Sequence, residues 1–308
     1  MRHPAISKPA LFRRARLLIV GCGDIGQRVA HQLNGRLRLR ALTSRPEHSA
    51  TLRALGITPL RGDLDQPASL RRLAALAPRV LHLAPPPGQG ACDTRTRALR
   101  QALARSPVAR RLVYGSTTGV YGDAGGAWFD ETRAVAPGTA RAQRRVDAEQ
   151  QLRRWSRARP LRCSVLRIPG IYAADRPGGH PRERLQRGTP VLQPADDVYT
   201  NHIHADDLAR CCIAALWRGR PQRIVHACDD TDLRMGDYFD LAADLCGLPR
   251  PPRLSRAEAT GQLSPMLLSF MSESRRLANR RLKQELRVVL RYSSVHTGLL
   301  AGLPARTG

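Results

Sequence analysis

The chain is poor in aromatic residues, 4 % of its 308 positions, and nearly devoid of lysine: Lys8 and Lys283 are the only two among 51 basic residues. So few aromatics leave little for the stacking platforms that single-stranded nucleic acid requires. No run approaches the ~18 apolar residues of a membrane span, so no membrane partner is expected. There is no internal repeat and no C-x-x-C pair, and nowhere do five or six basic residues stand together. After the basic start, only Leu17 to Val20 are strongly apolar before glycines intervene, too short a stretch for the core of a signal peptide. The seven cysteines, an odd number, read as reduced thiols in a cytoplasmic protein.

What is abundant is arginine. The 51 basic and 25 acidic residues give a net charge of +26. Such a charge invites a nucleic-acid partner. The arginines are scattered rather than clustered, so none is expected, and the partner is a small molecule. A hydrophobic content of 42 % with 25 % charged residues suits a globular protein with room for a main domain and a smaller lobe.

Residues 1–15 read as a basic extension. Short apolar runs then recur at Leu17–Val20, Leu37–Leu42, Ile57–Leu60, Val80–Leu83, Leu112–Tyr114 and Cys163–Ile168. Helical patterns lie between them at 47–55, 67–76, 92–105 and 139–157. This alternation predicts an α/β fold: a Rossmann-like, doubly wound parallel sheet over 16–170, with a smaller C-terminal substrate lobe over 171–308. A strand near 223–228 is expected to return to the sheet. The lobe should hold a short helix near 181–187, a strand over Tyr199–His204 and helices at 206–217, 235–246 and 275–286.

Gly21-Cys22-Gly23-Asp24-Ile25-Gly26 follows the first strand and opens the first helix, the context that makes G-x-G-x-x-G specific for a dinucleotide. Gly21 serves the tight turn, Gly23 the approach of a diphosphate and Gly26 the helix–strand contact. The second strand ends in Thr43-Ser44-Arg45, with no acid for a ribose 2′-hydroxyl. Arg45, aided by Ser44, suits a 2′-phosphate and predicts NADP(H) in preference to NAD(H). Asp63 and Leu64 are placed for the adenine, and Ala84 and Pro85 for a wall along the cofactor. His202-x-His204 with Asp206 and Asp207 has the look of a metal site, but a helix N-cap is the better reading and no metal is predicted.

Several stretches together resemble the extended or atypical short-chain dehydrogenase/reductase superfamily, in its NAD(P)-dependent epimerase/dehydratase group. They are Leu18–Gly26, Gly62-Asp63-Leu64, Val113–Asp123, Leu166–Tyr172 and Asn201–Leu208. The resemblance implies an NAD(P) cofactor and a small substrate, sugar nucleotides among them. It also implies a Ser/Thr, a Tyr and a Lys four residues later as the catalytic set, and the Ser/Thr falls at Ser116 or Thr117. No tyrosine in the chain has a lysine four positions on. Matching Glu149 to the family's helix glutamate puts Arg141 in the Tyr position and Arg145 in the Lys position, where Arg145 can still hold the ribose. Tyr121 is a substitute proton donor, with Tyr172, Asp130 and Glu131 as further candidates. Pro169 and Tyr172 would border the nicotinamide, and Arg275 and Arg276 could reach an anionic group. Ser272 or Ser274 would cap the last helix. The reading is an NADP(H)-binding oxidoreductase or epimerase/dehydratase-like enzyme, monomer or homodimer. The alternative is a non-catalytic NADP(H)-dependent sensor or scaffold.

Overall fold

A computed structural model describes residues 15–33 and 35–302; the rest of the expected basic extension lies outside the described residues. Seven strands form one parallel sheet: β1 (Arg16–Val20), β2 (Arg38–Thr43), β3 (Ile57–Arg61), β4 (Arg79–His82), β5 (Arg111–Thr117), β6 (Arg162–Ile168) and β7 (Arg223–His226). Their order is β3-β2-β1-β4-β5-β6-β7, with every neighbouring pair parallel. The order reverses at β1, where β2 departs to one side and β4 to the other. In such sheets ligands bind outside the carboxyl ends of the strands at this point.

The continuous apolar run of β1 follows from burial on both faces. Leu17 and Ile19 face α1 (Asp24–Gln32) and a later helix, packing with Val29, Leu208, Cys212 and Leu216. Leu18 and Val20 face α3 (Thr94–Ala104) and α4 (Ala140–Arg157), packing with Leu99, Leu103 and Leu152. Each fully buried leucine contributes about 1.5–3 kcal/mol. The short α2 (His48–Ala54) follows β2.

Beyond residue 171 the chain divides its labour. After a short α5 (Arg182–Gln186), α6 (Ala205–Arg218) joins α1 on the sheet, and β7 extends the sheet edge. Next, α7 (Met235–Cys246), α8 (Arg256–Gln262), α9 (Pro265–Phe270), α10 (Arg280–Gln284) and α11 (Val295–Leu300) follow. A separate core of Tyr172, Leu192, Met235, Tyr238, Phe239 and Leu299 gathers around α7 and α11.

Four local expectations change. The pattern at 67–76 forms a 3-10 helix, Pro67–Leu73, in which the Ser69 hydroxyl bonds the carbonyls of Gln66 and Asp63 and so competes with α-helical geometry. The strand expected over Tyr199–His204 is two: Tyr199–Thr200 pairs antiparallel with Leu233–Arg234, and His202–His204 pairs parallel with Gly170–Tyr172. The helix expected at 275–286 shrinks to α10, because Arg276 and Leu277 pair with Trp128 and Phe129 instead. Neither Ser272 nor Ser274 caps α10: its N-cap is Asn279, with no side-chain cap bond, while Ser294 caps the unanticipated α11. All seven cysteines are free, and no helix among the described residues is long and apolar enough to cross a membrane.

Candidate active site

The turn from β1 into α1 uses its three glycines in three ways. Gly21 has φ +87°, and a Cβ there would stand 2.3 Å from the Ala84 nitrogen. Both Leu83 and Ala84 donate their N–H groups to the Val20 carbonyl, which lays the segment after β4 directly on the turn. At Gly26 a Cβ would meet the Ile19 side chain at 3.2 Å, setting the helix–strand approach. At Gly23 nothing lies within 4 Å of where a Cβ would stand. Gly23 is also the N-cap of α1, and no side chain caps the helix. Its first N–H groups therefore lack a side-chain cap among the described residues, and Gly23, Asp24, Ile25 and Gly26 line a cavity, an arrangement suited to a phosphate. Cys22 between them is half-buried, and loss of solvation pushes its thiol up to about 12 and keeps it protonated.

Two cavities meet along Gly21, Gly23 and Leu83. The first, about 580 Å³, reaches the end of β2 and is lined by Thr43, Ser44, Arg45, His48 and Pro85. Among the described residues no acidic side chain lines it. The Thr43 hydroxyl accepts from the Arg45 N–H, holding the turn, and the Arg45 side chain is exposed. His48 was not anticipated; its only sequence signal is its place three residues after Arg45. Asp63 and Leu64 do not line this cavity. The Asp63 carboxylate accepts from the Asp65 N–H in a local turn. Ala84 is buried against Gly21.

The second cavity, about 370 Å³, is lined by Asp24, Ile25, Gly26, Ser116, Thr117, Arg145, Pro169 and Arg176. Thr117 is half-buried, and its Oγ1 accepts from the Gly119 N–H at 3.2 Å, leaving its hydroxyl hydrogen free to donate outward. Ser116 is otherwise committed: it is 4 % exposed and donates to Glu149 Oε1 at 2.6 Å. Glu149 also pairs with Arg167 at 2.7 Å, both fully buried. Removing one member of such a pair leaves a buried charge and costs about 3–5 kcal/mol. The Arg145 guanidinium donates to the Gly115 carbonyl at 2.7 Å and the Tyr114 hydroxyl at 3.1 Å. Arg141 is exposed at the start of α4, over the Phe270 ring.

The substitute proton donors fall elsewhere. Tyr121 is 0 % exposed, sits 2.6 Å from His226 Nε2, and is pushed up to about 12 by burial. Glu131 is buried and accepts from the His226 N–H, while Asp130 accepts from the Thr132 N–H and hydroxyl. None of the three lines the cleft. Tyr172 is buried, with its hydroxyl on the Ser294 carbonyl, and borders the lobe cavity rather than the second cavity.

That third cavity, about 380 Å³, adjoins the second at Pro169 and Ile171. Its wall includes Thr118, Tyr199, Asn201, His202, Glu273 and Arg275. His202 stacks on Tyr238 at 4.3 Å, and burial holds its imidazole down to about 4, hence neutral. His204, rather than an acid, caps α6 by accepting from the Asp206 N–H. Among the described residues no three His, Cys, Asp or Glu side chains are placed to hold a metal ion. Arg276 lies outside the cavity, over the Tyr199 ring.

Glu273 has no motif to announce it. One of its oxygens lies 4.0 Å from where a Cβ would stand on Gly119, and the Thr117 hydroxyl lies 3.6 Å from that same point. The other oxygen lies 3.8 Å from the corresponding point on Gly138, just before α4. The carboxylate thus sits between the Thr117 turn and the start of α4. Arg275 bonds it at 2.6 Å and anchors on the Gly122 carbonyl.

The sequence matches the family model described as "NAD dependent epimerase/dehydratase family" over residues 17–228. A comparison with curated proteins finds no match. Among solved structures, a conserved Silicibacter pomeroyi protein described as functionally unknown is 33 % identical, with a TM-score of 0.78 over 93 % of this chain and 97 % of that one. The UDP-glucose 4-epimerase of Thermotoga maritima, solved with UDP-glucose, is 17 % identical, with a TM-score of 0.74 over 92 % and 96 %. The UDP-glucuronic acid 4-epimerase of Bacillus cereus, in complex with NAD, is 16 % identical, with a TM-score of 0.74 over 93 % and 96 %. The last two likenesses are of fold.

Proposed function

The chain belongs to the NAD-dependent epimerase/dehydratase family, a family of NAD(P)-dependent enzymes, and from that premise we propose that it uses NADP(H) to oxidise and reduce an oxygen-bearing carbon of a small molecule held in the lobe cavity. The observation that carries this reading is the continuity of the bare Gly23 turn, through Thr117, with the lobe cavity. Gly21, Gly23, Asp24, Ile25 and Gly26 would hold the diphosphate region. Ser44, Arg45 and His48 would hold a 2′-phosphate, since among the described residues no acid lines that cavity to accept from a 2′-hydroxyl. Pro85 and Pro169 would wall the cleft. A bound nicotinamide supplies the hydride acceptor and donor. Thr117 orients the substrate oxygen with its free hydroxyl hydrogen. Arg145 holds fixed positive charge below the site and, as an arginine, moves no proton. Glu273 holds and returns the proton, the task left open by Arg141 and Arg145 in the Tyr and Lys positions.

Thermal unfolding with NADPH, NADP⁺, NADH and NAD⁺ tests the cofactor. A ligand at ~100 times its Kd adds about 2.7 kcal/mol, a shift of several degrees. A shift with the 2′-phosphorylated pair alone is expected, and none with any of the four would overturn the reading. Substrates are then screened among carbonyl compounds and nucleotide sugars, UDP-glucose being the ligand in the Thermotoga maritima structure. Glu273→Gln should lower turnover by about 10²- to 10⁴-fold without loss of the cofactor shift. Those same Arg141 and Arg145 side chains favour a second reading, a redox sensor without turnover. It predicts unequal NADP⁺ and NADPH affinities and no activity on any substrate.

A further inference from the structure

We infer that Arg176, carried by the segment 173–181, is a ligand of the cofactor's diphosphate, and that this segment ties cofactor binding to the shape of the substrate cavity. The inference rests on the cofactor reading above. Asp24 opens α1 in its first turn, beside the bare N–H groups that would receive a diphosphate. A carboxylate there repels that anion unless cations offset it. Two do: Arg28 bonds Asp24 Oδ1 at 2.9 Å, and Arg176 bonds Asp24 Oδ2 at 2.5 Å.

The two arginines are differently held. Arg28 is gripped by three carboxylates, those of Asp24, Asp175 and Asp206, and is a fixed structural charge. Arg176 has the Asp24 carboxylate as its one side-chain partner among the described residues, and it lines the second cavity with Gly21 and Gly23. It is a cation standing over the glycine turn, free to swing from Asp24 to an incoming diphosphate. Guanidinium and diphosphate make paired, charge-assisted hydrogen bonds.

A few residues further along the same segment, Gly178, Gly179, His180 and Pro181 line the lobe cavity. Gly179 lies directly against the Arg176 side-chain stem, whose Cβ, Cγ and Cδ stand 2.7–2.8 Å from where a Gly179 Cβ would be, so a swing of that side chain changes the packing of this wall. Whatever draws Arg176 inward reshapes the substrate side, and by linkage substrate binding tightens or loosens the cofactor equally.

Three probes separate the contributions in titration calorimetry: NADPH, ADP-ribose (a diphosphate without a 2′-phosphate) and 2′-AMP (a 2′-phosphate without a diphosphate). Arg176→Gln is expected to weaken NADPH and ADP-ribose by about 10- to 100-fold while leaving 2′-AMP within about twofold. Arg45→Gln should weaken NADPH and 2′-AMP and spare ADP-ribose. Asp24→Asn frees Arg176 and removes the competing anion, so ADP-ribose should bind more tightly. A purely structural Asp24–Arg176 pair would make Asp24→Asn and Arg176→Gln act in the same direction, overturning the inference. Hydrogen exchange over 173–181 should slow with ADP-ribose and not with 2′-AMP. Equal NADPH and ADP-ribose affinities in wild type and Arg176→Gln defeat the inference alone; a wild-type chain that binds none of the three probes defeats the cofactor reading with it.

Discussion

Asp229 shows how one residue can carry a pH dependence. It is 4 % exposed, its Oδ1 accepts from the Thr231 N–H, and its Oδ2 has no hydrogen-bond partner among the described residues. Burial pushes its carboxyl up to about 7. Unfolded, it would ionise at its ordinary value of 3.8. Between those two values the folded chain holds a proton that the unfolded chain has released. Its contribution to stability therefore falls as pH rises from about 4 to 7 and stays low above that. Asparagine mimics the protonated side chain. Urea unfolding at pH 5 and pH 8 should show Asp229→Asn losing less stability between the two than wild type, and an equal loss would remove Asp229 from the account. The same scale explains why Tyr121 misleads. In sequence it is a tyrosine in a family-like stretch; only packing reveals that its hydroxyl is spent on His226 and its ring on Phe129 and Arg167.

The elements themselves were largely legible, because β1 and its neighbours are apolar on both faces and their helices carry regular stripes. The pattern placed α7 over residues 235–246, which the structure reproduces. What escaped were segments whose partner is distant. Arg276 and Leu277 look helical until Trp128 and Phe129 offer them backbone bonds, and Asn201 interrupts 199–204 because its side chain bonds the Arg275 carbonyl and the Leu277 N–H. The glycine turn was legible residue by residue, whereas Glu273 and Arg176 reach the cleft from far along the chain and leave no local signal. The turn also makes a paired prediction. Gly21→Ala forces a positive φ on alanine and a clash with Ala84, so it should cost about 1–3 kcal/mol or more and lower Tm by several degrees. Gly23→Ala meets nothing in the protein and should keep the wild-type Tm, yet weaken NADPH by about tenfold or more, because the methyl stands where phosphate approaches.

Over the whole molecule the net charge of +26 is borne by arginines exposed on many elements, among them Arg53 on α2, Arg71 and Arg72 in the 3-10 helix and Arg154 and Arg157 on α4. Self-repulsion of this size opposes compactness, and salt screens it within about 10 Å at 0.1 M. Raising sodium chloride from about 0.05 to 0.5 M should therefore lift Tm by a few degrees, and a fall would show that the surface ion pairs matter more than the excess charge. The way the chain threads through its site has one more effect. Every residue found to line the first cavity lies between Gly21 and Pro85, whereas the lobe cavity draws its wall from Thr118 through to Arg275. A ribosome adding about 5–20 residues per second therefore finishes the lining of one cavity many seconds before the other. On the proposed reading, the nascent protein has the makings of a cofactor pocket long before it can close around a substrate.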